Sequence, residues 1–526
     1  MTQRSAFVTA LWLAALSAGC SEGTRFPREP RGSATVRVGV PTRFAGFSPV
    51  ETYGYYEAHF ASLVYEGLTR QDRAGDIVPA LARRWRVLEG GAVYRFELRS
   101  NVVFHDGTHF TAHDVVRAWT TALREPPDTV SHPWMLDAVR GALAFSHGRA
   151  EEVAGLRVVD DSTLVVELEA PLGLFPTLIS LPQAAVPAAA SDAERPLGSG
   201  PWRWVRGRPG DDNEFWLTRN DRYWGLRPEL DSVVLRYLPL DQTLHGFEVG
   251  WVDVAIDLPA VGVARWASRS DLGFVRSPAE GLVRLVINLE EPVFQDLRVR
   301  RALTHAIDAE QLAHALGLED VVLATGAIPP SFPGADTARP RYDFDPALAR
   351  RLLTESGFPF SRTIRLWVPG EGLAEFPPAI GQLMRSYLEA AGLRVSLNRD
   401  RPTPGWVEAG EPGDLVLEVW YPDYRDTDAI LFPLFHSSTA GTAGNEGGFG
   451  DAEVDRLIEE ARREPDAARR AALQRRADAR IYATAANVFL WFARIPAVYS
   501  LRLEGWADRP YPSRFIDLRL ARSAEP

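Results

Sequence analysis

Between Tyr94 and Trp119 the chain reads YRFELRSNVVFHDGTHFTAHDVVRAW, and its hydrophobic period changes part-way along. Tyr94, Phe96 and Leu98 alternate with charged residues, the period-two pattern of a half-buried strand, and Val102 to Phe104 continue the extended run. Asp106-Gly107 supplies a turn. From Phe110 the spacing is helical: Thr111 stands at the N-cap, Asp114 closes a capping box, and Phe110 is placed to staple onto Val115. His105, His109 and His113, four residues apart, together with Asp106 and Asp114, leave two readings open, a metal site or a tightly specified corner.

The same reading places a first strand at Ala34 to Val40, a helix from Tyr53 to Leu68 ending at Gly67, and a short helix from Val78 to Trp85. Strands at Leu156 to Val159 and Thr163 to Leu168 form a hairpin across Asp160-Asp161-Ser162. Leu282 to Asn288 (LVRLVIN) is nearly all apolar, as in a strand buried on both faces. Helices start at Asp296 and Asp308, the second stopped by Gly317. From Asp343 the order is helix (Pro346 to Ser356), strand (Thr363 to Pro369), helix (Phe376 to Ala391) and strand (Arg394 to Asn398), an α/β alternation. The strand Val416 to Trp420 runs into an acid-rich loop, and amphipathic helices follow at Asp451 to Arg463 and Asp466 to Ala485. The arginine pairs at 469–470 and 475–476 are interleaved with Asp466 and Asp478, which makes them a solvated face, not a phosphate site.

Composition narrows the class. A chain of 526 residues has room for two or three cores, and 46% hydrophobic content belongs to a folded protein. All 58 basic residues are arginine; against 69 acids they leave a net charge of -11, or -12 once residues 1–19, charged only at Arg4, are removed. That balance argues against nucleic-acid binding. The apolar run Ala6 to Ala18 is short of the roughly 20 residues that span a bilayer and reads as a secretory signal. It ends at Ser17-Ala18-Gly19-Cys20, which resembles a bacterial lipobox and makes Cys20 the lipid-modified first residue of the mature chain. Cys20 is the only cysteine, so no intrachain disulfide and no catalytic thiol is available. Residues 20–33 form a tether that lets the body float about 20 Å from the membrane.

In chain order, Tyr65-Glu66-Gly67-Leu68, Pro79-Ala80-Leu81-Ala82 with Trp85, Phe104-His105-Asp106-Gly107 through Val115, Gly198-Ser199-Gly200-Pro201-Trp202, Arg219-Asn220 with Tyr223-Trp224, Val252-Asp253, Asn288, Arg298 to Leu303 with Ala306-Ile307-Asp308, and Asp455 resemble the family 5 extracellular solute-binding proteins, the oligopeptide, dipeptide and nickel receptors of ABC importers. The resemblance covers nearly all of the mature chain. It implies an α/β, two-lobed periplasmic-binding-protein type II fold with an extra domain and hinge closure. Lobe I would comprise residues 34–53, 179–279 and 486–526, the extra domain 54–178, and lobe II 280–485. It further implies a monomeric receptor without catalysis or cofactor, held to the membrane by its lipid alone, passing a peptide or other small solute to an ABC permease in the inner membrane.

By the same resemblance, Trp420 and Asp423 match the spacing at which the peptide receptors bind the ligand's α-ammonium, with Tyr421 and Asp426 beside them as further ligand-binding candidates. Thr427 and Ala429 depart from the family's usual proline and asparagine. The acids of this loop equally suit an exposed turn. A metal-dependent hydrolase is the rival reading from another class, but His105 and His109 precede the helix and no HExxH-type pattern is present. Leu197-Gly198-Ser199-Gly200 lacks the first glycine of a nucleophile elbow. His436, after the acidic loop, suits either a structural role or a metal-complex receptor, and the 15 tryptophans would also suit stacking on sugars.

Overall fold

The computed structural model describes residues 34–40, 55–72, 75–126, 132–207, 214–256, 258, 263–318, 321–369, 379–399, 413–441, 444–504 and 522–523. The signal segment, Cys20, the tether and Phe376 lie outside them.

Three larger sheets organise these residues. The first has seven strands in the order Leu272–Arg276, Pro496–Ser500, Val254–Ile256, Thr35–Val40, Ser232–Tyr237, Glu214–Arg219, Trp202–Arg206. Its core of Val36, Val38, Trp202, Phe215, Val233 and Leu235 also takes in Phe60, Ala61, Leu63 and Val64 from the helix Tyr55–Val64. That helix therefore packs with lobe I, although it falls within 54–178.

A four-stranded antiparallel sheet, Ala82–Leu88, Val93–Leu98, Thr163–Glu167, Leu156–Asp160, forms the extra domain with the helix Ala112–Ala122. The strand and capped helix expected between Tyr94 and Trp119 are present, and the reciprocal Thr111–Asp114 box is formed. The expected helix over Val78 to Trp85 is not. Those residues form the strand Ile77–Pro79 and the start of Ala82–Leu88, which pairs with Val93–Leu98. Val78, Leu81 and Trp85 mimic helical spacing, but pairing with a formed neighbour strand overrides that local pattern.

The third sheet has six strands: Val322–Leu323, Asn487–Ala493, Gly281–Ile287, Leu415–Trp420, Thr363–Trp367, Arg394–Asn398. Gly281–Ile287 is buried at all seven positions, as its apolar run predicts. Asn487–Ala493 pairs with it, so lobe II runs past the expected boundary at 485.

Among the described residues two short segments join the first sheet to the third, residues 277–280 and 494–495, and they lie side by side. Ser277 N donates to the Ile495 carbonyl (3.0 Å), Ile495 N donates to Ser277 Oγ (2.7 Å), and Glu280 N donates to the Ala493 carbonyl (3.2 Å). Paired short connections of this kind let two lobes rotate as bodies.

Candidate functional site

The motif residues spread along the first half of the chain meet at one corner. His105 Nε2 lies 3.0 Å from the Gly200 carbonyl, and Gly198 N donates to His105 Nδ1 (3.3 Å), which fixes a neutral ring with its proton on Nε2. Burial holds the His105 pKa down at about 4. Glu66 accepts from Ser199 Oγ (2.9 Å), Tyr223 Oη (2.7 Å) and Trp224 Nε1 (2.8 Å). Asp106 accepts from Thr108 N within the turn where Gly107 has φ 93°. His113 is exposed on the helix. Among the described residues no group of three or more His, Cys, Asp or Glu is placed to hold a metal ion. The histidine-rich stretch is a structural joint. Ser199, spent on Glu66, is part of it.

The loop after Leu415–Trp420 is built differently. On one side this strand pairs along its whole length with Gly281–Ile287; on the other it meets Thr363–Trp367 only at Leu415 and Val416. Among the described residues the edge from Leu417 to Trp420 has no strand partner there, which leaves backbone donors and acceptors for an extended ligand. Trp420 is held by its indole N–H on the Ala429 carbonyl (2.9 Å). The Tyr421 ring covers Gly281, where any Cβ would overlap it.

The three acids of the loop have three environments. Asp423 is exposed just beyond the strand end. Asp426 turns inward, accepting from Gln474 Nε2 (3.1 Å) and Asp428 N (2.9 Å), with Arg470 at 3.8 Å; burial pushes its carboxyl above the ordinary aspartate value. Asp428 is buried, accepts from Tyr424 Oη (2.8 Å) and faces Arg462 Nε at 3.5 Å. Thr427 Oγ1 donates to the Pro333 carbonyl (2.6 Å), a contact that proline could not make.

Sequence reasoning missed what holds this loop in place. Tyr424, 3% exposed, packs in the hydrophobic core of the extra domain. Arg425 N donates to Gln71 Oε1 (3.4 Å), its side chain lies against Gly75, and its guanidinium faces Glu280 at the hinge (3.5 Å). Glu280 in turn accepts from Ser331 Oγ (3.0 Å). Lobe II, the hinge and the extra domain thus meet at Tyr424-Arg425. His436, buried, has its Nδ1 2.7 Å from Ser438 Oγ in the turn that follows, a structural position.

The family model for bacterial extracellular solute-binding proteins, family 5 (middle), matches residues 76–442. The chain belongs to that family. Family 5 membership makes it an extracytoplasmic solute-binding protein, and the fold is the two-lobed type II one. It is 27% identical over 449 residues to a probable deoxycholate-binding periplasmic protein of Escherichia coli (strain K12), covering 79% of this chain and 80% of that one. To a probable di/tripeptide-binding protein of Pseudomonas aeruginosa (strain UCBPP-PA14) it is 25% identical over 522 residues, covering 92% and 95%. Its fold matches that of a periplasmic binding protein of Helicobacter pylori in complex with a peptide, with a TM-score of 0.79 at 19% identity, covering 93% and 98%.

Proposed function

We propose that this family 5 protein is the peptide receptor of an ABC importer, anchored through Cys20. The ligand would lie extended along the open edge Leu417 to Trp420, with its α-ammonium on Asp423 and its first side chains against Trp420 and Tyr421. One observation carries this reading: of the three loop acids, Asp426 and Asp428 turn inward and Asp423 is the exposed one, just beyond a strand edge that has no strand partner on that side among the described residues. A carboxylate there gives a charge-assisted hydrogen bond worth about 1.5–3 kcal/mol. Asp426 belongs to the loop's internal support. The match to a di/tripeptide-binding protein supports the same class of ligand.

Calorimetry with free-amine and N-acetylated di- and tripeptides tests the assignment. Asp423→Asn is expected to weaken free-amine peptides by tenfold or more and to leave N-acetylated ones nearly unchanged. Equal losses for both, or no peptide binding by the unaltered protein, would overturn it.

A further inference from the structure

Lobe II carries a concavity, about 420 Å³ in volume, that shares no lining residue with the loop Trp420–Asp428. Its size lies within the range of small-molecule sites. It opens beside the strand Asn487–Ala493, where among the described residues Val322–Leu323 pairs only with Phe492 and Trp491 and Ala324 N donates to the Leu490 carbonyl (3.1 Å). The aromatic wall is preformed. Tyr342 and Tyr482 lie 5.0 Å apart between ring centres, and Tyr482 stacks on Phe489 at 6.1 Å and 17°. Tyr342 N donates to Tyr482 Oη (3.1 Å), and His305 Nδ1 donates to the Asp343 carbonyl (2.7 Å), which fixes the turn bearing Asp343.

The polar groups of this wall are only partly spent. Asp308 uses Oδ1 to cap Gln311 N, while its other oxygen and the Asp343 carboxylate make no hydrogen bond among the described residues. Glu310 pairs with Arg341 at 3.4 Å, so three carboxylates and one guanidinium leave two negative charges around the cavity. Asn487, 4% exposed, accepts at Oδ1 from Arg284 Nη1 (3.3 Å), and its amide N–H groups make no hydrogen bond among the described residues.

We propose that this cavity is a second ligand site, separate from the interlobe cleft, for a small organic cation, an amine or guanidine. Asp308 and Asp343 meet the charge, the carbon skeleton packs on Tyr342, Tyr482 and Phe489, and the Asn487 amide donates to a hydroxyl or other acceptor of the ligand. A bound anion would face uncompensated like charge. The site does not depend on what the cleft binds.

Titration calorimetry of the mature protein at low salt with tyramine, agmatine and putrescine tests the proposal. One-to-one binding of at least one probe is expected, weakened tenfold or more by Asp343→Asn and by Asp308→Asn and unchanged by Asp423→Asn. Asparagine retains the N-cap role at 308, so the fold should survive that change. In the unaltered protein the probe should also shift the Asn487 side-chain amide resonance. No binding by any of the three, affinity that survives both asparagine variants, loss of binding in Asp423→Asn, or an unmoved Asn487 resonance would each overturn it.

Discussion

Ser277 and Ile495 bind each other twice across the hinge, through Ser277 N to the Ile495 carbonyl and Ile495 N to Ser277 Oγ. The second bond satisfies the backbone N–H of a residue that is 5% exposed. Ser277→Ala leaves that donor buried without its acceptor and is expected to cost about 1–3 kcal/mol in urea unfolding, with Ser277→Thr recovering most of it. An unchanged midpoint for the alanine variant would show that the hinge strands do not need the bond.

The contact of Arg425 with Gly75 yields a test of closure. Gly75 has φ +88°, and a Cβ there would overlap the Arg425 side chain. Gly75→Ala should therefore cost about 1–2 kcal/mol in strain and, more tellingly, push Tyr424-Arg425 off the extra domain. The expected result is a larger radius of gyration by X-ray scattering and weaker ligand binding. Unchanged dimensions and full affinity in this variant would mean that the contact does not hold the lobes.

How much of this was legible depends on the range of the interactions. The Tyr94 to Leu98 strand and the Thr111–Asp114 box rest on neighbours within a few residues, and they are read directly from spacing. The Ala82–Leu88 strand was missed because its partner, not its own pattern, makes it a strand. Arg284 was hidden inside LVRLVIN, where one charge in an apolar run gives no sign of its burial or partners. Asp423 and Trp420 were reachable only through resemblance. That Asp426 turns inward could not be read, since its partners Gln474 and Arg470 lie on a distant helix; Arg425 and Gln71 are 354 residues apart.

His105 makes the fold acid-sensitive in a defined window. Its pKa is about 4 in the folded protein against 6.5 for a free histidine, so the unfolded state binds more protons between those values. Stability is then fully present above pH 6.5 and falls as pH drops toward 4, by at most about 3 kcal/mol from this group. His105→Gln, which cannot charge, should be less stable than the unaltered protein at pH 7.5 but lose less on going to pH 4.5. Parallel losses measured by thermal unfolding at the two pH values would rule out His105 as the source.

Arg284 poses the sharpest stability question, because it is 1% exposed in the middle of the lobe II sheet. Its Nε donates to Glu418 Oε1 (2.9 Å) on the neighbouring strand, Nη1 to Asn487 Oδ1 (3.3 Å) and Nη2 to the Gly444 carbonyl. Arg284→Met alone leaves Glu418 and the Gly444 carbonyl without their donor, and breaking a buried pair in this way costs about 3–5 kcal/mol. Arg284→Met with Glu418→Leu removes both charges together, and the second change should restore part of the loss, since apolar replacements avoid the desolvation of both ions. Recovery stays incomplete because the Gly444 carbonyl and Asn487 Oδ1 both still lack the Arg284 donor. Chemical unfolding of the two single variants and the double one forms a cycle. Strictly additive losses would show that Arg284 is held by Asn487 and Gly444, and that its pairing with Glu418 contributes nothing.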